Sequence, residues 1–236
     1  MKRAFVFVAS AVAFAATSAD AGVLGFSSFT RTASNGNTVI DVFAVMSNAS
    51  DRLLNIYNAN LTTTQGGSTP STYVQQAGTA TRGWEPVVLL SARSSITDSF
   101  VTFGVYDGQP INGEYYASAT SIMFPPSGDQ VLLNAAWFGL SAPPSPDSFP
   151  ESMSGMTGTR TDSSAAAAGS NLGVWCAHLV IASGDFGARW WNATAAGKDG
   201  VTGATVMNTG TMNMGPSPSA LALLGVAGFA SRRRRK

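Results

Sequence analysis

One cysteine, one histidine and few charges are all this sequence offers to the commonest active-site chemistries. Cys176 is the only Cys among 236 residues, so no disulfide framework can form within the chain. One Cys and one His cannot supply the three or four ligands of a Cys/His zinc cluster. A serine or cysteine hydrolase would have to use His178 as its base, and no G-x-S-x-G elbow presents a nucleophile to it. Charged residues make up only 11% of the chain, which leaves few candidates for acid–base work. Long runs with a 3.6-residue apolar period are missing from residues 22–215, which argues against a helical body.

What is present is organised first at the two ends. Lys2 and Arg3 precede a thirteen-residue apolar stretch, Ala4 to Ala16, interrupted only by Ser10. Ser18, Ala19 and Ala21 follow, and Ala19-Asp20-Ala21 fits the A-x-A cleavage pattern of a secretory leader. Residues 1–21 are therefore expected to be a signal helix cut after Ala21, and the rest of the chain to be exported. At the other end, Gly215-Pro216-Ser217-Pro218-Ser219 halts regular structure. Ala220 to Ala230 is an apolar, helix-compatible run of eleven residues, and Arg232, Arg233, Arg234, Arg235 and Lys236 close the chain. Eleven helical residues span about 16 Å, against about 30 Å of hydrocarbon. Starting the helix at Met212 gives nineteen residues, barely enough to cross. A basic cluster behind an apolar run stays cytoplasmic, so residues 211–236 read as a Pro hinge, a short membrane helix and a basic stop.

The 21 residues from Pro216 to Lys236 resemble the PEP-CTERM sorting signal of Gram-negative exported proteins. That signal joins a short Pro-Glu-Pro-type motif, a helix and a basic tail; here Ser217 stands at the Glu position. The resemblance implies that Pro216, Ser217 and Pro218 form the motif read by an exosortase-type processing enzyme. It also implies anchoring in the inner membrane, followed by release to the cell surface or extracellular matrix. The same residues also admit a permanent tail anchor, or a solvated basic tail. The body resembles exported β-sandwich proteins that often carry such tails, by strand pattern and tail alone, and this brings no site with it.

Removing the ends changes the charge. Over the whole chain it is +1, but residues 22–215 hold seven basic and twelve acidic residues, a net of −5. Such a body lacks the basic patch that displaces counterions from nucleic acid, so no nucleic-acid partner is expected.

Strand signals dominate residues 22–210, the expected domain. Val39–Met46 is nearly continuous in apolarity and suits a strand buried on both faces. Strict alternation along Leu53–Leu61 would put Leu54, Ile56, Asn58 and Asn60 on one face. Ser99–Tyr106, Gln130–Phe138 and Leu172–Ala182 are strong; Val23–Thr30, Pro86–Leu90, Tyr115–Met123 and Gly200–Met207 are weaker. Asn35-Gly36, Asp107-Gly108 and Asn112-Gly113 mark tight turns, and Asn48–Asp51 is short enough for a hairpin. Thr62–Gly83 and Ser141–Asn171 resist the pattern, with a helical turn expected near Ser163–Ala168. About nine strands point to an all-β sandwich, jelly-roll-like or Ig-like.

The candidate chemistry is sparse. Alternation puts Cys176 and His178 on one strand face, two residues apart; the simpler reading is a half-buried strand with a satisfied imidazole. Glu85, Asp98, Asp107, Glu114, Asp129, Asp185 and Asp199 are the carboxylates from which a glycoside hydrolase could draw a pair. Asp107–Glu114 is an oxygen-rich turn, but Ile111 occupies a ligand position of an EF-hand loop. Neither a metal nor a cofactor is expected. Trp137 and Trp175 lie in apolar runs and read as core, whereas Trp84, Trp190 and Trp191 are candidates for stacking on sugar rings. The expected function is that of an exported, non-catalytic β-sandwich of the cell surface or matrix. The alternatives are a carbohydrate-binding module for an extracellular polysaccharide and a carboxylate-based glycosidase.

Overall fold

The computed structural model describes residues 22–71, 73–74, 99–104, 120–124, 133–139, 147–148, 159–185 and 187–215. The chain forms β1 (Val23–Thr32), β2 (Thr38–Met46), β3 (Arg52–Thr62), β4 (Phe100–Gly104), β5 (Thr120–Phe124) and β6 (Ala135–Gly139). It continues as β7 (Asp147–Ser148), β8 (Thr159–Asp162), the single helical turn α1 (Ala165–Ala168), β9 (Leu172–Ile181), β10 (Trp190–Lys198) and β11 (Thr205–Asn213). One antiparallel sheet has the order β4-β9-β2-β1-β8, with β7 also on β9; the other runs β11-β10-β3-β6-β5. The fold is all-β with almost no helix. The expected turn near Ser163–Ala168 is α1, capped by the Ser164 hydroxyl, which accepts the Ala167 N–H at 3.1 Å.

The two sheets close on one apolar core. Ile40, Val42, Ala44 and Met46 of β2 meet Leu53, Ile56 and Leu61 of β3, Trp137 of β6 and Trp191 of β10. Phe26 and Trp191 cross the gap edge-to-face at 5.4 Å. The far side of the first sheet is covered too, because Phe29, Phe43, Val45, Phe100 and Trp175 form a second buried cluster there. The continuous apolarity of β2 follows from this burial on both faces.

Several expectations change. Asn48–Asp51 is no hairpin: β2 pairs with β1 and β9, β3 pairs with β10 and β6, and the four residues turn a corner between sheets. The strand expected at Gly200–Met207 begins only at Thr205 and runs to Asn213, and Met214 is buried behind it. Met212 therefore belongs to the sandwich and does not open a membrane helix. Its partner β10 was not legible, because Ala193, Ala195 and Gly197 are weak strand formers. At Gly197 and at Gly210 of β11 the smallness is a packing requirement. A Cβ on Gly197 would lie 2.7 Å from Val23 Cγ2, and one on Gly210 of β11 would lie 2.7 Å from Phe26 Cδ2. Pro86–Leu90 and the turns Asp107-Gly108 and Asn112-Gly113 lie outside the described residues.

Two bulged strands defeat strict alternation. In β3 the register shifts within Leu53–Asn55 and within Tyr57–Asn60, and Asn58 takes φ 50°. Leu53, Ile56, Ala59 and Leu61 then all face the core. In β9 the shift falls at Cys176, because Val42 pairs with Ala177 and Phe43 with Trp175. Cys176 turns inward with Ala177, Leu179 and Ile181, while His178 joins Trp175 on the far face.

Candidate ligand-binding face

Residues of β3, β10 and β11 that alternate with the core positions line one surface of the second sheet, with Thr62, Thr194 and Ala196 buried within it. Pairing across the strands sets them in rows: Thr62, Trp190 and Asn213; then Asn60, Asn192 and Thr211; then Tyr57, Thr194 and Thr209. Asn55, Ala196 and Met207 follow, and Arg52, Lys198 and Thr205 end the series. Nine residues of β10 make the face about 27 Å long, and three strands make it about 10 Å wide between outer strand axes. The rows contain amides, hydroxyls, two aromatic rings and no carboxylate, with cationic residues only in the last row, although residues 22–215 as a whole are net acidic.

Cross-strand hydrogen bonds hold these side chains. Asn192 Nδ2 donates to Thr211 Oγ1 at 2.7 Å, and the Thr194 and Thr209 hydroxyls share a bond of 2.8 Å. The Tyr57 hydroxyl donates to Met207 Sδ at 3.1 Å, and Asn60 Oδ1 accepts the Asn134 backbone N–H at 2.9 Å. Met207 is 65% exposed, and Trp190 and Tyr57 are half-buried. Both rings thus keep accessible area, and the Tyr57 hydroxyl is held by Met207.

Of the three tryptophans proposed for sugar stacking, Trp190 is the one that the described residues place on this face. Trp191 is a correction: adjacent residues on a strand point oppositely, and Trp191 takes the inward side with 0% exposure. Trp84 lies outside the described residues. Trp137 and Trp175 are buried, as their apolar runs implied. Tyr57, Asn192 and Met207 belong to the face and were missed in the sequence. The signal for it lies in β11, where Thr205, Met207, Thr209, Thr211 and Asn213 alternate with Val206, Asn208, Gly210 and Met212.

Cys176 is not brought to His178. Cys176 lies on the opposite face of β9, its thiol donates to the Val42 carbonyl at 3.2 Å, and burial pushes its pKa up. The His178 ring stacks on Phe100 at 4.8 Å, and its Nδ1 lies 2.6 Å from the Asp41 carboxylate. Among the candidate carboxylates, Asp185 and Asp199 are described, and they flank β10 at opposite ends. About 30 Å of strand between them exceeds the roughly 5–9.5 Å a glycosidase pair needs. Each instead serves its own turn. Asp185 is held below the usual carboxylate range by the Arg189 guanidinium and the Gly187 N–H. Asp199 is held low by the N–H groups of Thr202 and Val201. Glu85, Asp98, Asp107, Glu114 and Asp129 lie outside the described residues, and with them the oxygen-rich turn. No three His, Cys, Asp or Glu side chains cluster as a metal site among the described residues.

Among the described residues no helix is long and apolar enough to cross a membrane. The leader with Ala19 and Ala21, the motif Pro216, Ser217 and Pro218, and the tail Arg232–Lys236 lie outside them. Comparison with family models, with curated proteins and with solved structures finds no match to the chain.

Proposed function

We propose that the chain is an exported, non-catalytic β-sandwich of the cell surface or extracellular matrix, delivered by its leader and sorted through its tail. The observation that carries this is the ordered tail: Pro216-Ser217-Pro218, eleven apolar residues, then five basic ones, following directly on a body that packs through Met214. An exosortase-type enzyme at the inner membrane is the partner this order fits. Replacing Arg232, Arg233, Arg234 and Arg235 with Ser removes four charges that oppose translocation. The expected result is loss of sorting, with protein accumulating unprocessed in cell fractions. Surface release at the normal level would sink the sorting claim.

The sandwich itself reads best as Ig-like. The spatial orders β1-β2-β9-β4 and β11-β10-β3 follow the A-B-E-D and G-F-C sheets of that architecture, and β6 and β5 extend the second sheet as added strands do. The departure is chain order, since β4 precedes β5 and β6.

A second reading rests on the face around Trp190. An uncharged array of amides and hydroxyls beside a half-exposed indole matches a neutral, polyhydroxylated sugar chain, which offers C–H faces to rings and hydroxyls to amides. On a glycan array, Trp190→Ala should weaken binding about tenfold or more, the usual effect of removing an aromatic anchor. It should shift the thermal midpoint little, because the side chain is outside the core. Equal binding by the variant would remove this face from consideration.

A further inference from the structure

Asp51 is a buried carboxylate, 0% exposed, at the corner between β2 and β3. It accepts the Ser47 hydroxyl and the Asn48 N–H, each at 2.9 Å, and the Gly200 N–H at 2.9 Å. All three donors are neutral. None of the ion pairs of the described residues includes Asp51. Neighbouring Arg52 directs its guanidinium to the Ser50 and Asp51 carbonyls at 2.8 and 2.7 Å, and Lys198 is exposed. Asp199, the other carboxylate at this end, is turned into its own loop. Burying a carboxylate with no cation bonded to it is costly.

The donor behind Ser47 is the backbone nitrogen of Gly22, which lies 2.7 Å from Ser47 Oγ. The Ser47 N–H returns a bond of 2.9 Å to the Gly22 carbonyl, so the two residues are clasped. A Cβ on Gly22 would lie 3.0 Å from Val206 Cβ, and only Gly seats the nitrogen here without moving β11. Gly22 is also the residue that leader removal after Ala21 would expose.

We propose that the α-ammonium of Gly22, created by leader removal, is the missing counter-charge of Asp51, relayed through the Ser47 hydroxyl. Hydrolysis adds water across the Ala21–Gly22 peptide bond; Ala21 leaves as a carboxylate and the Gly22 amine keeps the proton. Processing then completes the electrostatics of this end of the sandwich. The proposal rests on the leader reading above. Sign follows from the pairing: an amine whose folded pKa is raised stabilises fully below its unfolded value of about 7.7–8.0, and this is lost as pH rises through the folded value.

The full-length gene, leader included, is expressed, the exported protein purified, and its N-terminal residue assigned by peptide mass. Acetic anhydride labelling against pH then gives the pKa of the amine. A Gly22 N-terminus with an amine about one unit above the free value, returning to it when a Ser is inserted between Ala21 and Gly22, supports the proposal. The inserted variant should also melt lower at about pH 6 and match the parent at about pH 10. Asp51→Asn should abolish the raised amine pKa; if that variant fails to fold, the insertion and the titration still decide. A Gly22 amine that titrates at the free value overturns the proposal alone. An N-terminus at another residue overturns the leader reading and the proposal with it.

Discussion

Trp191→Ala lowers the unfolding free energy by about 3–5 kcal/mol, the range for deleting a fully buried large aromatic. The indole sits between Phe26 at 5.4 Å and Trp137 at 6.3 Å, both edge-to-face, and these three rings join the first sheet to the second. Truncation leaves a hole that two strands cannot collapse to fill, because Ala193 and Ala195 beside it have no length to spare. A domain with a total of about 5–15 kcal/mol loses a large share of its stability this way. The indole N–H has no hydrogen-bond partner in its buried site. Trp191→Phe therefore costs less than its lost volume suggests, since an unsatisfied donor leaves with the second ring. Urea midpoints should fall in the order wild type, Phe, Ala. A Trp191→Ala midpoint within about 0.5 M of the parent would contradict the core assignment, given slopes of about 1–3 kcal/mol per molar.

How far the sequence reveals this architecture depends on which physical signal each segment carries. β2, β3 and β9 announce themselves through β-branched and aromatic residues, because they bury large side chains, while β1, with Ser27, Ser28 and Gly25 in its run, signals more weakly. β10 hides because its inward residues after Trp191 are Ala193, Ala195 and Gly197, and at Gly197 Val23 occupies the space a side chain would need. Alternation fails at Cys176 and Asn58 for a different reason. A bulge inserts one residue and reverses the phase of everything after it, and no local composition marks the two positions. Cys176 and His178 therefore look like neighbours in sequence and lie on opposite faces in space. The candidate face was half legible: adjacency of Trp190 and Trp191 guaranteed that one would point outward, but only the pairing with Leu61 and Met212, both core residues, says which. Asp51 reads locally as a turn carboxylate for Ser47 and Asn48, and its bond to Gly200, far away in the chain, leaves no local signal.

Asp41→Ala is expected to cost about 3–5 kcal/mol, the penalty for breaking a buried ion pair from one side. Its carboxylate is 1% exposed, 2.6 Å from His178 Nδ1 and 3.4 Å from the Arg31 guanidinium. Asp41 and His178 are directly opposed across β2 and β9, with the Val42–Ala177 pair between them and the bulge at Cys176. Sliding β9 by one residue would set Ala177 or Leu179 against the carboxylate and carry His178 toward the apolar core, away from its carboxylate. The pair thus penalises the wrong register at the point where the bulge makes register ambiguous. This account separates specificity from stability. Asp41→Leu combined with His178→Leu should cost less than the sum of the single changes by about 1–3 kcal/mol, because the double variant leaves neither partner stranded opposite the other. The same double variant should lose uniqueness, showing extra or broadened amide resonances for β9 where the wild type shows one set. Additive single-variant costs, to within about 0.5 kcal/mol, would mean that the two groups act independently. A double variant with one sharp set of β9 resonances would show that packing alone, through Phe43, Phe100 and Trp175, fixes the register.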